Sequence, residues 1–290
     1  MKYRTRKVLA IALLLAWCHA AGAGGMVMLL TDYGADSIYV GVLKGAIYKK
    51  CPEAKVDSLT HSVPPFDIAA GACLLAEACR EFPADTIFCC VVDPGVGTER
   101  KAIVLETERG QRFVAPDNGL LTMVAERDGV RQIREASNRD LWRAGVQSST
   151  FHGRDLFGPV AGALACGASL DEAGPPLTEM VRLDLPAARI EDGVVRGRVI
   201  RVDIYGNIIS NIRMDDLEAL GVRRGDRLEV EIGKARFEAP LVNTYADVPQ
   251  GEKLALVQSL GLIEFAVNLG NLAETLDEGL HAPVAVRKTP

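Results

Sequence analysis

In the segment Val91 to Arg100, VVDPGVGTER, the acid Asp93 and the base Arg100 flank a glycine-containing loop that follows an apolar strand end. Loops of this kind often cradle phosphates, but this one lacks the Lys-Ser/Thr ending of a P-loop and is not G-x-G-x-x-G. Further along, STFHGRDLFG places His152 in a polar turn ahead of an apolar helix, beside Ser149, Thr150, Gly153, Arg154 and Asp155. A lone histidine is commonly structural, yet these polar flanking residues suggest a loop position with access. A second carboxylate, Asp32 in LTDYG, ends an apolar strand in the same manner as Asp93, and His61 ends another. Ligands of open α/β sheets sit outside the carboxyl ends of the strands, so two strand-end carboxylates beside glycines mark a site. Asp32 with Gly34 suits a ribose diol, because a carboxylate accepts from two hydroxyls at once.

The other polar clusters have plainer readings. Asp117 and Asn118 in APDNGLL read as a turn and helix cap. Asp203 and Asn207 flank a Tyr-Gly turn in VDIYGNIISNI, which reads as a hairpin bend, and Ser259 lies near a glycine turn in VQSLG.

From Met26 to Val92 the hydrophobic period alternates. MVMLLTD, AKVDSLTH and TIFCCVVD read as strands. SIYVGVLKGAIYKK and DIAAGACLLAEACRE read as helices, the second capped by Asp67 and stopped at Pro83. Strand and helix in turn mean βαβ units and a mainly parallel sheet. The pattern changes near Gly167, and beyond about Ile190 short, evenly spaced strands dominate, which predicts a small antiparallel all-β barrel or sandwich. The expected organisation is an α/β domain over 26–184 and a β domain over 190–290.

Residues 1–23 read differently. A basic MKYRTRK, an apolar VLAIALLLAW and a small-residue AGA form, in order, a secretory signal peptide that predicts export. Translation from Met26 or Met28 is the cytoplasmic alternative, and Cys18 as a lipidated residue is disfavoured by the bulk of Trp17. Without Lys2, Arg4, Arg6 and Lys7 the chain keeps 29 basic and 38 acidic residues, a charge near −9. No basic cluster of a nucleic-acid-binding surface appears. The six remaining cysteines have no framework spacing and read as buried small hydrophobes, and no Cys/His cluster has zinc spacing, so no metal site is expected.

Taken together, LTDYG…YVGVLKG, HSVPPFDIAAGA, VVDPGVGTER, APDNGLL, TFHGRDLF, VDIYGNIISNI and FEAPLVNTYAD resemble one family. They resemble the S-adenosylmethionine hydroxide adenosyltransferases, the water-using relatives of the fluorinases and chlorinases. The motifs run in order from Met26 to about Ala273. The resemblance implies an Asp93–Arg100–His152 triad that activates water against C5′ of S-adenosylmethionine, releasing adenosine and methionine. Which member takes the proton is left open by the residue types. The sulfonium leaves as neutral methionine, so neither a general acid nor a cofactor is implied. The resemblance also assigns Asp32 to the ribose hydroxyls and Phe66 to the sugar or base. Asp203, Asn207 and Ser259 would hold the methionine ammonium and carboxylate, and Tyr245 would stack near adenine. It further implies a homotrimer with substrate at subunit interfaces.

One departure is Leu260, where halogenating members typically carry an arginine after the serine. Two further readings compete. A halogenase is disfavoured because a charged Asp93 about 4 Å from a halide would cost up to ~4 kcal/mol at an effective dielectric of 20. The halogenases also carry an insertion before the APDNG-like segment, where LETERGQRF is short. An exported adenosyl-binding protein without turnover is the third.

Overall fold

The computed structural model describes residues 24–184 and 187–289. The leader and Cys18 lie outside the described residues. The chain divides into two compact units between Arg182 and Leu183.

The first unit is built on β1 (Met26–Thr31), α1 (Ile38–Lys50), β2 (Lys55–Thr60), α2 (Ile68–Ala78), β3 (Ile87–Val91), β4 (Ala102–Glu106), β5 (Arg112–Pro116), α3 (Thr122–Asp128), β6 (Gln132–Glu135), α4 (Gly158–Ala165) and β7 (Pro176–Leu177). Its seven strands lie in the order β2-β1-β3-β5-β4-β6-β7. The pairs β1–β2, β1–β3 and β3–β5 are parallel, whereas β4 pairs antiparallel with both β5 and β6, and β7 with β6. The α/β sheet is thus parallel through β2, β1, β3 and β5 and antiparallel from β5 to β7. The five residues between β4 and β5 permit a hairpin and exclude the long crossover that a parallel pair requires.

Strand alternation explains why both faces are covered. Val27 and Leu29 of β1 join Leu43, Ile47, Phe157 and Val160 in one core, while Met28 and Leu30 join Leu75, Phe88, Phe113 and Val124 in another. On the first face α1 and α4 approach closely, since a Cβ at Gly162 would lie 2.8 Å from the Ile47 carbonyl oxygen. Ser37 caps α1 and Asp67 caps α2 through their side chains.

Cysteines follow this layering with one correction. Cys73, Cys79, Cys89 and Cys90 are buried, as small hydrophobes are. Cys51 and Cys166, expected among them, instead form a disulfide across 115 residues. The close pairing of α1 and α4 brings their C-terminal ends, and so the two sulfurs, together. Glu53 completes a group of metal-ligand size with them, but both sulfurs are already bonded to each other.

The second unit contains β8 (Arg189–Glu191), β9 (Val194–Val202), β10 (Ile208–Arg213), α5 (Met214–Glu218), β11 (Arg227–Ile232), β12 (Ala235–Pro240), β13 (Lys253–Val257), β14 (Leu262–Val267), α6 (Leu272–Leu276) and β15 (Pro283–Lys288). Strands β12-β11-β15-β9-β10-β14-β13 follow one another antiparallel, with β8 on β9. A bridge between Leu241 and Ala255 brings the two ends of this path together, so the sheet forms a nearly closed barrel. Inside are Val195, Val199, Ile208, Val230, Phe265 and Val286. Among the described residues no helix is long and apolar enough to cross a membrane.

The cross-link makes a stability prediction. A disulfide closing a long loop typically contributes about 2–4 kcal/mol. The double variant Cys51→Ala/Cys166→Ala should lose stability in that range in urea melts. A non-reduced peptide map should join the two cysteines; free thiols at both positions would contradict the pairing.

Candidate active site

Chain order reverses beside β1, with β2 on one side and β3 on the other. This is the switch point at which a crevice opens beyond the strand ends. Asp32 follows β1 and Asp93 follows β3, and both line a cavity of about 570 Å³ with Phe66, Phe151 and His152.

The VVDPGVGTER loop folds back on itself. Val96 N–H donates to the Asp93 carbonyl and Thr98 N–H to that of Gly95, and Thr98 Oγ1 also donates to Gly95. Gly97 has φ +80°, and a Cβ there would lie 2.5 Å from the Ser149 carbonyl oxygen. Glycine is needed twice over, for the left-handed backbone and for the close approach to the loop that carries His152. The turn returns Arg100 to Asp93: Nε donates to Oδ1 at 2.9 Å and to Oδ2 at 3.1 Å, and Nη2 donates to Oδ2. Arg100 Nη2 also lies 2.7 Å from His152 Nδ1, and its guanidinium stacks 5.1 Å from the centre of the Phe157 ring. The three residues singled out for chemistry are thus one hydrogen-bonded group. Burial holds the His152 pKa below the usual histidine value and the Arg100 cation lowers it further, against smaller upward pulls from Asp93 and Asp155.

The carbonyl of Val92, immediately before Asp93, accepts from Asn118 Nδ2 at 2.9 Å. Asn118 therefore tethers this strand end and Asp117 accepts from Val181 N–H, while Leu121 occupies the cap of α3 without a side-chain bond. The turn reading holds, since Asn118 Oδ1 accepts the Leu120 N–H at 3.2 Å, but neither residue caps α3. His61 is also structural: it is buried, with Nδ1 on Thr31 Oγ1 and Nε2 on Ser58 Oγ, each at 2.8 Å.

Asp32 Oδ2 accepts the Phe66 N–H at 3.0 Å. Phe66 has φ +68° and is 70% exposed into the cavity region, an unfavourable conformation for an aromatic residue. The Asp32 bond holds it there, while Asp32 Oδ1 has no partner among the described residues. The cavity wall also contains residues not anticipated as contacts. Tyr33, Tyr39 and Phe151 meet edge to face at 5.2–6.0 Å between ring centres. Their signals are Tyr33 in DYG, Tyr39 in SIYVG and Phe151 beside His152 in STFHG.

The loop before His152 is gathered by Asp155, whose side chain is 1% exposed. It accepts from Ser148 N–H at 2.7 Å, from Arg143 at 3.1 Å and from Arg154 at 2.6 and 2.7 Å. Burial alone would raise its pKa, but the bonds from Arg154, Ser148 and Arg143 prevail and hold it at about 2. A single π-helical turn, Gly153–Phe157, then leads into α4.

In the second unit Asp203, Asn207 and Tyr245 are brought together. Asp203 Oδ1 accepts the N–H groups of Tyr205 and Asn207, Asn207 Nδ2 donates to Asp203 Oδ2 at 2.9 Å, and it lies 3.5 Å from Tyr245 Oη. Tyr245 Oη donates to Glu264, a buried carboxylate that was not anticipated. Burial and then Glu264 push the Tyr245 phenol upward. Ser259 is exposed in the β13–β14 turn and makes no hydrogen bond to this group.

Comparison with known proteins decides the family. The N-terminal domain model of SAM hydroxide adenosyltransferases matches residues 27–174, and the C-terminal domain model matches 197–285. The chain belongs to the SAM hydroxide adenosyltransferase family. It is similar to a protein of Salinispora tropica named (R)-S-adenosyl-L-methionine hydrolase, 42% identical over 85% of this chain and 91% of that one. It is also similar to a fluorinase of an Actinoplanes species, 30% identical over 87% of this chain and 94% of the relative. The crystal structure of an uncharacterized conserved protein from Thermotoga maritima superimposes with a TM-score of 0.85 at 41% identity, over 90% of this chain and all of that one.

Asp32→Ala removes a cavity-lining carboxylate and frees Phe66 together, so, if Asp32 contacts the substrate as the resemblance implies, KM should rise by an amount worth a few kcal/mol, about 1–3 for each group left unpaired. An unchanged KM would place Asp32 outside the binding site. Because the folded pKa of Asp155 is depressed, its contribution to stability is present above the unfolded value of about 3.9 and is lost as pH falls toward 2. Asp155→Asn should therefore lower the melting temperature at pH 7 and flatten its decline between about pH 4 and 2. An unaltered acid decline would show that Asp155 does not carry it.

Proposed function

We propose that this adenosyltransferase hydrolyses S-adenosyl-L-methionine at C5′ to adenosine and L-methionine. The observation that carries the proposal is the joining of Asp93, Arg100 and His152 in one group on a cavity that also holds Asp32. The similarity to proteins named as hydrolases supports the same reading.

The displacement needs an oxygen nucleophile aligned with the C5′–S bond. Its electron pair forms the C–O bond, and the C5′–S pair departs on sulfur as a neutral thioether. No leaving-group acid is needed, and the reaction as proposed needs no cofactor. Asp32 Oδ1 is free to accept from the ribose, and Phe66 offers its ring to sugar or base. Asp203, Asn207 and Tyr245, with Ser259, are proposed to hold the methionine and adenine ends. Between water and halide, the charged Asp93 favours water, since a carboxylate repels a bound anion at short range. This weighs against fluorinase-type chemistry despite the kinship.

A homotrimer with substrate at subunit interfaces is proposed with this activity, on the strength of the family resemblance. Export is proposed from the order of the leader segments, and a disulfide between Cys51 and Cys166 suits an oxidising compartment.

Incubation of pure protein with S-adenosylmethionine should release adenosine and methionine in equal amounts. A 5′-halo-adenosine in chloride or fluoride would instead mean a halogenase, and intact substrate a binding protein. Asp93→Ala, Arg100→Ala and His152→Ala should each lower turnover by roughly 10²-fold or more, with smaller effects on binding. Their losses should not add when combined, because the three act as one unit. Full turnover in these variants would place water activation elsewhere.

A further inference from the structure

The Arg100–His152 contact constrains the protons of the site. A guanidinium has N–H donors and no acceptor. At 2.7 Å from Arg100 Nη2, His152 Nδ1 must therefore present its lone pair. A ring that accepts at Nδ1 is neutral and carries its proton on Nε2. Nε2 then has no lone pair for a proton from water. Among the described residues it also has no hydrogen-bond partner, and His152 lines the cavity.

The carboxylate is placed in the opposite way. Arg100 directs two N–H contacts at Asp93 Oδ2 and one, shared, at Oδ1. Each carboxylate oxygen can accept twice, so Oδ1 keeps a lone pair that no described residue uses.

We infer that His152 serves as an Nε2–H donor that orients the attacking water, and that Asp93, through Oδ1, takes the proton. This rests on the hydrolase reading and divides the labour within that site. In the step, one lone pair of the water oxygen forms the bond to C5′ and the C5′–S pair leaves on sulfur. One water proton passes to Asp93 Oδ1, and the other remains on the 5′-hydroxyl. His152 is neutral before and after. Arg100 holds both partners and touches neither the proton nor the oxygen. The groups facing His152 agree with a neutral ring: Arg100 disfavours its protonation, and Asp93 and Asp155 offset that in part.

Two measurements on the full mature protein test this. The first is the imidazole nitrogen NMR spectrum of ¹⁵N-histidine-labelled enzyme near pH 7.5, with His152 assigned by its loss in His152→Gln. The expected pattern is a pyridine-type Nδ1 and a pyrrole-type Nε2. A proton on Nδ1, or a charged ring, overturns the inference without bearing on whether the enzyme is a hydrolase. The second is turnover. His152→Gln keeps an N–H donor close to the place of Nε2–H and should stay within about tenfold of wild type, one hydrogen bond's worth. Asp93→Asn should fall by about 10²-fold or more while still binding S-adenosylmethionine by calorimetry. The acid limb that protonation of His152 imposes on wild type should be missing from the His152→Gln profile, because protonation would otherwise set two donors against each other. A His152→Gln variant as slow as His152→Ala, beside an Asp93→Asn variant that still turns over, overturns the assignment. If wild type releases no adenosine, the hydrolase reading fails, and the nitrogen spectrum alone decides the donor assignment.

Discussion

The site depends on one guanidinium. Arg100 faces a carboxylate on one side and an imidazole on the other, and its side chain is only 10% exposed. A buried cation is tolerated when its donors are spent, and here Asp93 cancels the charge while His152 takes a remaining N–H. Much of the surrounding architecture serves to bring these three groups within reach. Gly97 lets the loop press on Ser149, Asn118 fixes the backbone ahead of Asp93, and Asp155 draws in the loop ahead of His152. The Phe157 ring closes over the guanidinium from the α4 side.

The scaffold explains why such a group is available. Strands β1 and β3 are parallel neighbours, so their carboxyl ends, and the aspartates that follow, emerge on the same rim. Strands buried on both faces make that rim rigid, whereas the loops above it carry polar chemistry at little cost to the core. The one visibly strained residue there, Phe66, is held by a side chain that has a further acceptor to offer.

Much of this was legible in the sequence because strand ends and turn residues are local signals. The run TIFCCVVD announced a buried strand, and Asp93 at its end followed directly. What escaped depended on partners distant in the chain. Nothing near Cys51 points to Cys166, since their pairing exists only once α1 and α4 lie side by side. Asn118 has the type of a helix cap, yet its amide nitrogen is used on Val92, just past β3, which it reaches through tertiary contact. Glu264 left a trace that could have been read: it is a carboxylate inside the apolar run LIEFAV, where charge needs a partner, and Tyr245 supplies it.

The disulfide has a consequence for damage. It encloses the chain from Cys51 to Cys166, and Asp93, Arg100 and His152 all fall inside the enclosed segment. The Arg143–Thr150 stretch is irregular and partly exposed, the sort of backbone that proteases cut. A single cut there would separate His152 from Asp93 along the backbone yet leave one covalent molecule, with both pieces still bound through α1 and α4. Under the export proposed above, a nick at the rim of the site would not by itself be dissociation.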